Sequence, residues 1–406
     1  MLTNKKVTIY VTGGIAVYKA ADLVRKFIKA GAEVKVAMTA SAQEFVTPLT
    51  FQVLSKHDVY TDTFDEKDAQ FVSHIHLADW TELAVIAPAT ANIVAKMANG
   101  IADDFVSTAL LATTAPRLIV PAMNQHMLEN PATARNMEAL KSYGYEIMEP
   151  DTGFLAEGYE GKGRMPEPEK IVEAAQLVVL NNAKELPLKG KKVLITAGGT
   201  KERIDPVRFI SNDSSGKMGY SLAKAARDLG AEVTLVTATN LLPIPFGVES
   251  IYVQSSEEME SEVLDKFHNL DMVIMAAAVS DYRPKTQANV KIKKTNEDLT
   301  LVLEKTTDIL AELGKRKTDQ FLIGFAAETN DVEHYALDKL KRKNADMIVA
   351  NDVSKEYAGF NKETNEVTIF QADKEPIQIS VRSKDLIAEE ILYAAIDSMH
   401  DDVDAG

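Results

Sequence analysis

Three short stretches in the first half of the chain carry side chains able to move a proton or to hydrogen-bond a ligand. They are Ser73-His74-Ile75-His76, Ala87-Pro88-Ala89-Thr90-Ala91-Asn92 and Pro121-Ala122-Met123-Asn124. Histidine titrates near neutrality and suits general acid–base work. A hydroxyl-bearing helix start at Thr90 and an amide after a strand at Asn124 could surround one pocket with it. Each residue also has a plainer reading: Thr90 as a helix N-cap, Asn124 as a turn residue, His74 as a satisfied loop histidine. A His-x-His metal pair lacks an obvious third ligand, so no metal-binding residues are assigned. In the second half, Arg203, Arg208, Lys217 and the lysines at 285, 291, 293 and 294 could neutralise phosphates. Lys339 and Lys343 are four apart and share a helix face, an arrangement equally at home on a solvated surface.

These groups must be held by regular elements, and the sequence repeats one such unit. KKVTIYVTGGIA (5–16) parallels KKVLITAGGT (191–200), and GAEVKVAMTAS from Gly31 parallels GAEVTLVTATN from Gly230. Each reads as strand, glycine turn, helix, glycine, strand. Ala16, Ala20, Leu23, Val24, Phe27 and Ile28 form one apolar helical stripe, and Leu222, Ala225, Ala226 and Leu229 another. Gly31 and Gly230 stand where a left-handed residue ends a helix. The expected fold is therefore α/β, with two tandem doubly wound domains. Residues 1–180 form the first, 181–190 a polar linker with Pro187 and Gly190, and 191–406 the second. Further strands are expected at Leu83–Ala87, Arg117–Pro121, Met272–Ala276, Phe321–Gly324, Met347–Ala350 and Val367–Phe370, with a closing helix from about Lys384 to Met399. The glycine-rich stretch 151–167 and the lysine-bearing stretch 283–298 read as lids.

The chain has 406 residues, 46% apolar and 26% charged, enough for two globular cores. A net charge of −15 argues against sequence-independent nucleic-acid binding, which needs a broad positive surface. The absence of cysteine removes disulfides, thiolate metal sites and any cysteine nucleophile. No apolar run approaches the ~20 residues of a membrane span, and a cytoplasmic enzyme is expected. Neither Gly13-Gly14 nor Gly198-Gly199 opens a dinucleotide G-x-G-x-x-G fingerprint. Ser211–Gly219 (SNDSSGKMG) lacks the upstream glycine of a P-loop and has Met218 where a hydroxyl would hold magnesium. The glycines license close approach of a phosphate to a helix N-terminus and nothing narrower.

Taken together, GGIAVYK, AMTASAQEFVTP, SHIHLADW, APATANIVAKMANGIADD and PAMN resemble the homo-oligomeric flavin-containing cysteine decarboxylases across residues 5–180. That resemblance implies a flavodoxin-like domain binding FMN through Gly14, Ile15, Thr39, Pro88, Ala89, Thr90 and Met123. It also implies His74 as the essential acid–base residue and Asn124 on the substrate carboxylate. Relatives carry Ala-Cys-Gly in the lid, whereas this chain reads Leu155-Ala156-Glu157-Gly158. Glu157 becomes a candidate proton donor if closure over an apolar site raises its pKa. Release of an oxidised enethiol is the alternative.

The stretches DPVRFISNDSSGKMG, AAAVSDYRP, KIKK, GFAAETN and ANDV resemble phosphopantothenate–cysteine ligase. The domain order is similar to that of the bacterial bifunctional phosphopantothenoylcysteine decarboxylase/phosphopantothenate–cysteine ligases of coenzyme A synthesis. By that resemblance Ala276, Ala277, Asp281, Lys291, Thr307, Asp308, Ile309, Leu310, Phe325, Lys339 and Lys343 line a site for CTP as co-substrate. Asn212 and Lys291 act on substrate and intermediate. Thr306-Thr307 stand where the family often has Asn-Pro. The implied partners are 4′-phosphopantothenate, cysteine, CTP and Mg2+, in a homo-oligomer that family members build as a dodecamer. Two other readings stay open: an active ligase joined to an impaired or oxidative decarboxylase, and a flavin-binding regulatory protein.

Overall fold

The computed structural model describes residues 2–66, 70–182, 185–294, 298–328, 332–352 and 364–404. Residues 183–184 of the expected linker, 295–297 of the lysine-bearing stretch, Thr329 and Asn330 of GFAAETN and Val353 of ANDV lie outside them. The chain divides into two compact units, Met1–Lys184 and Glu185–Gly406.

In the first unit six parallel strands lie in the order Val59–Tyr60, Glu33–Met38, Lys6–Val11, Leu83–Ala89, Arg117–Pro121, Glu146–Ile147. Strand order reverses between Lys6–Val11 and Leu83–Ala89. The crevice at that switch point, outside the carboxyl ends of the strands, is where doubly wound sheets bind ligands. Leu83–Ala89 is buried at every position, as a central parallel strand covered on both faces must be. Helix Val17–Lys29 buries Val17, Ala20, Leu23, Val24 and Phe27 against the sheet. Each large apolar side chain so buried stabilises the unit by roughly 1.5–3 kcal/mol. Ile28, expected in that stripe, points away and stays exposed, because it falls one position beyond the buried arc. Gly31 closes the helix at φ +88°, the left-handed geometry the sequence leads one to expect.

Residues 151–167 are not an irregular loop. Asp151–Phe154 pairs antiparallel with Glu160–Arg164, turned through Gly158 at φ +91°. Gly161 and Gly163 are buried while Glu160 and Lys162 are exposed, the period-two alternation of a strand. A Cβ on Gly163 would stand 2.0 Å from the Met123 carbonyl oxygen, and one on Gly161 2.5 Å from Gln125 Oε1. These glycines allow close backbone approach rather than mobility.

In the second unit eight strands run Glu249–Tyr252, Glu232–Thr237, Lys192–Ala197, Met272–Met275, Phe321–Glu328, Met347–Asp352, Thr364–Gln371, Ile377–Ser383. The first six are parallel and the last two antiparallel. One face packs on helices Lys217–Asp228 and Lys384–Asp404, through Leu222, Ala226, Ile387, Ile391 and Leu392. The other packs on Ser256–Lys266, Ile309–Arg316 and Val332–Lys343, through Met259, Val263, Leu313, Ala336 and Leu340. Gly230 ends its helix at φ +97°. Two short hairpins, Glu202–Arg203 with Phe209–Ile210 and Tyr282–Pro284 with Leu303–Lys305, rise from the sheet's carboxyl edge.

Candidate active sites

In the first unit a threonine unnoticed in the sequence joins the two strands at the switch point. Thr12, which follows Lys6–Val11, donates from Oγ1 to the Pro88 carbonyl at 2.7 Å and accepts the Thr90 N–H at 3.1 Å. Its signal was a lone hydroxyl ending a β-branched strand, an easy feature to pass over. Beside it Gly14 faces Thr90: a Cβ on Gly14 would meet only Thr90 Cγ2, at 3.8 Å, so the turn leaves room for a ligand. Gly13 has a different task, since a Cβ there would stand 2.3 Å from Ser41 Cβ. Ile15 is exposed. Thr39 caps Ala40–Gln43 by accepting the Ala42 N–H at 3.3 Å, and Thr90 caps Ala91–Asn99 by accepting the Ile93 N–H at 3.4 Å. The plainer reading of Thr90, a helix N-cap, is therefore what its hydrogen bond shows. A capped helix start still directs N–H groups and a positive dipole end into the crevice.

Met123 and Asn124 reach the same edge. Ala122 N–H donates to the Ala89 carbonyl at 3.0 Å, and Met123 N–H to the Gly163 carbonyl at 3.1 Å. Asn124 caps Gln125–Leu128 through Oδ1, which accepts the His126 N–H at 2.9 Å, while Nδ2 donates to the Tyr159 hydroxyl at 2.7 Å. The 151–164 hairpin thus lies over the PAMN turn, with Glu157 exposed at its tip. His74 occupies the first turn of helix Ser73–Trp80 rather than a loop. Its ring meets Phe105 edge-on at 6.5 Å, and Phe105 stacks on Tyr60 at 5.2 Å. His74 Nδ1 is buried and has no hydrogen-bond partner among the described residues, a costly state unless a ligand or water completes it. No hydrogen bond among the described residues joins His74 to Asn124 or Thr90. Glu66 fixes the start of the histidine's helix by accepting the Ser73 N–H at 2.9 Å and its hydroxyl at 2.6 Å.

The second unit holds a cavity of about 700 Å³ at the carboxyl edge of its sheet. Ala276, Ala277, Asp281, Thr307, Asp308, Ile309, Leu310, Phe325 and Lys339 all line it, as do Lys217, Lys305 and Lys384, of which the last two went unremarked in the sequence. Lys339 donates to the Phe325 carbonyl at 2.8 Å. Lys343 stands behind the wall, buried, and forms an ion pair with Asp308. Burial resists ionisation of Asp308, but the Lys343 ammonium, the Ala311 N–H and Lys339 outweigh it and hold the carboxyl below its ordinary pKa. Asp308 also caps Ile309–Arg316, accepting that N–H at 3.0 Å. Asn212 lies just outside, its Nδ2 donating to the Ala278 carbonyl at 2.6 Å and its Oδ1 accepting the Ser214 N–H at 3.1 Å. Gly199 is needed there, because a Cβ would sit 2.4 Å from Asn212 Oδ1. Lys291 is not brought to the cavity wall; its side chain is exposed on the stretch that follows Tyr282–Pro284. Asn351 and Asn365, also on the wall, carry buried Oδ1 atoms with no partner among the described residues.

The two units thus present different chemistries: a largely uncharged crevice with an unsatisfied histidine, and a lysine-lined cavity suited to polyphosphate. Among the described residues no helix is long and apolar enough to cross a membrane. The Flavoprotein family model matches residues 1–179, and that of the DNA/pantothenate metabolism flavoprotein C-terminal domain matches residues 188–399. The chain is 53% identical over 393 residues to the coenzyme A biosynthesis bifunctional protein CoaBC of Bacillus subtilis (strain 168), covering 97% of each chain. It is 43% identical over 395 residues to the protein of the same name from Escherichia coli (strain K12), covering 96% of each. A cysteine/cysteine sulfinic acid decarboxylase from an unknown prokaryotic organism is 46% identical over 358 residues, covering 87% of this chain and 100% of that protein. With both family models in sequence and relatives matched almost end to end, the chain belongs to the coenzyme A biosynthesis bifunctional (CoaBC) family.

Proposed function

We propose that the chain performs two consecutive steps of coenzyme A synthesis. The second unit ligates 4′-phosphopantothenate to cysteine at the expense of CTP, and the first decarboxylates the product to 4′-phosphopantetheine. The main support is the near-full-length likeness to the bifunctional relatives, which spans both units. A carboxylate condenses with an amine at neutral pH only when one oxygen becomes a leaving group. Attack of the pantothenate carboxylate on the α-phosphate forms an acyl-cytidylate and expels pyrophosphate. Cysteine's amine then displaces CMP, forming the amide and losing a proton. Lys217, Lys305, Lys339 and Lys384 line the cavity and would balance charge on the phosphate oxygens of a nucleotide held there. Asn212, a neutral donor beside the cavity, can hold the acyl group without adding charge. Mg2+ is commonly held by one or two carboxylates together with substrate phosphates, and Asp281 supplies a carboxylate on the wall.

The first unit's residues fit FMN. The turn at Gly14 is open, the capped start of Ala91–Asn99 suits a phosphate, and His74 Nδ1 awaits a partner. Bound FMN supplies the electron sink, taking two electrons from the substrate's CH2–SH group and returning them after CO2 has left. Asn124 orients the departing carboxylate, with Tyr159 aligning its amide. His74 serves as the acid–base group in the proton transfers. Glu157, in place of a lid cysteine, is the proposed donor to the enethiol carbon. A coupled assay tests the whole reading. Purified protein should be yellow, turn CTP over to pyrophosphate continuously only when 4′-phosphopantothenate and cysteine are both present (without cysteine, no more than about one equivalent per site), then release CO2. The final product should carry the mass of the saturated thiol; a product two hydrogens lighter identifies the oxidative alternative. Free cysteine offered alone should give no CO2.

A further inference from the structure

Asp205 has no accessible surface, and its carboxylate accepts more hydrogen bonds than a structural turn needs. Oδ1 accepts the N–H groups of Val207 and Arg208, each at 2.8 Å. Oδ2 accepts Arg208 Nε at 3.0 Å, Arg208 Nη2 at 2.5 Å and, from 87 positions away, the Ile292 N–H at 3.0 Å. Arg208 completes the grip, donating from Nη2 to the Ile292 carbonyl at 2.7 Å. Both backbone polar groups of Ile292 are therefore held by one ion pair, whose carboxylate is buried and whose guanidinium is 43% exposed. A further bond, from the Ala288 N–H to the Ile204 carbonyl at 3.0 Å, secures the start of the same stretch. Between these anchors stand Val290, 75% exposed, and Lys291 with an exposed side chain.

We infer that Asp205 is a positioning residue for ligation, clamping through Arg208 and Ile292 the stretch that presents Lys291. This rests on the reading of the second unit as a ligase in which Lys291 acts. Fixing both polar groups of residue 292 fixes where the Cα of residue 291 stands, while the lysine side chain keeps its rotamers for the ligand. A charged nitrogen on a flexible stem gains most when its stem is anchored near the reacting group. The Arg208 guanidinium in the first place, opposed by burial and helped by the Ile292, Val207 and Arg208 N–H groups, keeps the carboxyl well below the usual carboxylate range. The clamp thus stays charged throughout the working pH range. Arg208, which on sequence alone could have been a phosphate ligand, spends its guanidinium on Asp205 and Ile292 instead.

Asp205→Asn tests the clamp, because the amide keeps one acceptor but turns a donor toward Arg208 and Ile292. Misplacing a reacting group by about 1 Å costs on the order of 100-fold. Asp205→Asn in the full chain should lower ligation by about that factor, while decarboxylation of preformed phosphopantothenoylcysteine stays unchanged. In a Lys291→Gln background the same change should cost less than about twofold, since the clamp acts through a side chain already removed. Additive losses overturn the inference, as does unchanged ligation in Asp205→Asn. Ile292→Pro removes the far donor without touching Asp205 and serves if Asp205→Asn does not fold; it should reproduce the loss. The chain lacks cysteine, so a nitroxide on Val290→Cys reports this stretch alone. Its mobility should rise when Asp205 is changed, and a rigid label would overturn the clamp. If unaltered protein fails to couple its substrates, the ligase reading falls, and the label still decides whether Asp205 restrains residues 288–292.

Discussion

The two units begin with nearly the same strand and glycine pair, yet the glycines lead to different places. In the first unit the chain passes from Gly13-Gly14 into helix Val17–Lys29 within a few residues. In the second, residues 200–216 intervene between Gly198-Gly199 and helix Lys217–Asp228, carrying a hairpin, Asp205, Arg208 and Asn212. The first crevice is closed by hydroxyls, capped helix starts and a hairpin laid over Asn124. The second is walled by lysines. One scaffold thus offers an uncharged crevice in one unit and a lysine-lined cavity in the other, and the difference lies in what is inserted after the strand ends.

The sharpest way to separate the halves is to disable each alone. Lys291→Gln or Asn212→Asp should reduce ligation by roughly 100- to 1,000-fold, in line with losing a group that stabilises charge in a transition state. The flavin unit of either variant should still bleach with its own substrate. His74→Gln is the mirror experiment: loss of a general acid–base group costs roughly 100- to 10,000-fold in decarboxylation. Pyrophosphate release should be untouched and the protein should stay yellow. Ligation that persists in the first pair, or that falls in the second, would mean the division of labour is wrong.

The next effect is steric and belongs to the hairpin. Gly163→Ala must place a methyl group where the Met123 carbonyl now stands, at a φ of +152° that only glycine adopts readily. A loss of about 1–3 kcal/mol from the first unit is expected, as for other forced overpacking. Decarboxylation should fall with it, because the hairpin carries Tyr159 against Asn124. Gly158→Ala, also at positive φ but with open space around it, should cost less. Thermal melting of the two variants, followed by flavin fluorescence, ranks them directly.

The α/β architecture and most of its parallel strands were legible because they rest on strong local patterns. Apolar runs ended by glycine pairs mark parallel strands, and helices at 3.6-residue spacing mark their crossovers. The expected strands Arg117–Pro121 and Met272–Ala276 agree with the observed ones to within a residue. The hairpin at 151–164 was not legible, since glycines that permit close approach look the same in sequence as glycines that permit motion. Ile377–Ser383 was missed for another reason: an edge strand with only Ile379 buried gives almost no apolar signal. Lys305 and Lys384 escaped because each reaches the cavity from a separate strand or helix. Asp205 escaped because its partner is 87 positions away, a distance that no local motif spans.

A smaller, pH-dependent effect separates the ion pair behind the second cavity from the uncharged first crevice. Asp308 ionises below its ordinary pKa when folded. Its contribution to stability is therefore complete above the unfolded value of about 4 and disappears as pH falls through the lowered folded value. Asp308→Asn should lower the melting temperature of the second unit at pH 7, and the gap to the unaltered protein should narrow progressively below pH 4. A gap that widened on acidification would contradict the ion pair.

The smallest expected effect concerns the hydroxyl that steadies Asn124. Tyr159→Phe deletes one hydrogen bond, at 2.7 Å, between exposed partners. Water can replace the missing acceptor, so the cost should stay near 0.5–1.5 kcal/mol, a few-fold to about tenfold. If Tyr159 serves only to align the amide, the loss should appear in KM for phosphopantothenoylcysteine and leave kcat almost unchanged. In an Asn124→Ala background the same change should then do nothing, because there is no amide left to align. A kcat loss that persists without Asn124 would instead place the phenol itself in the proton transfers, and would move the hairpin from a support for the first crevice to a part of its chemistry.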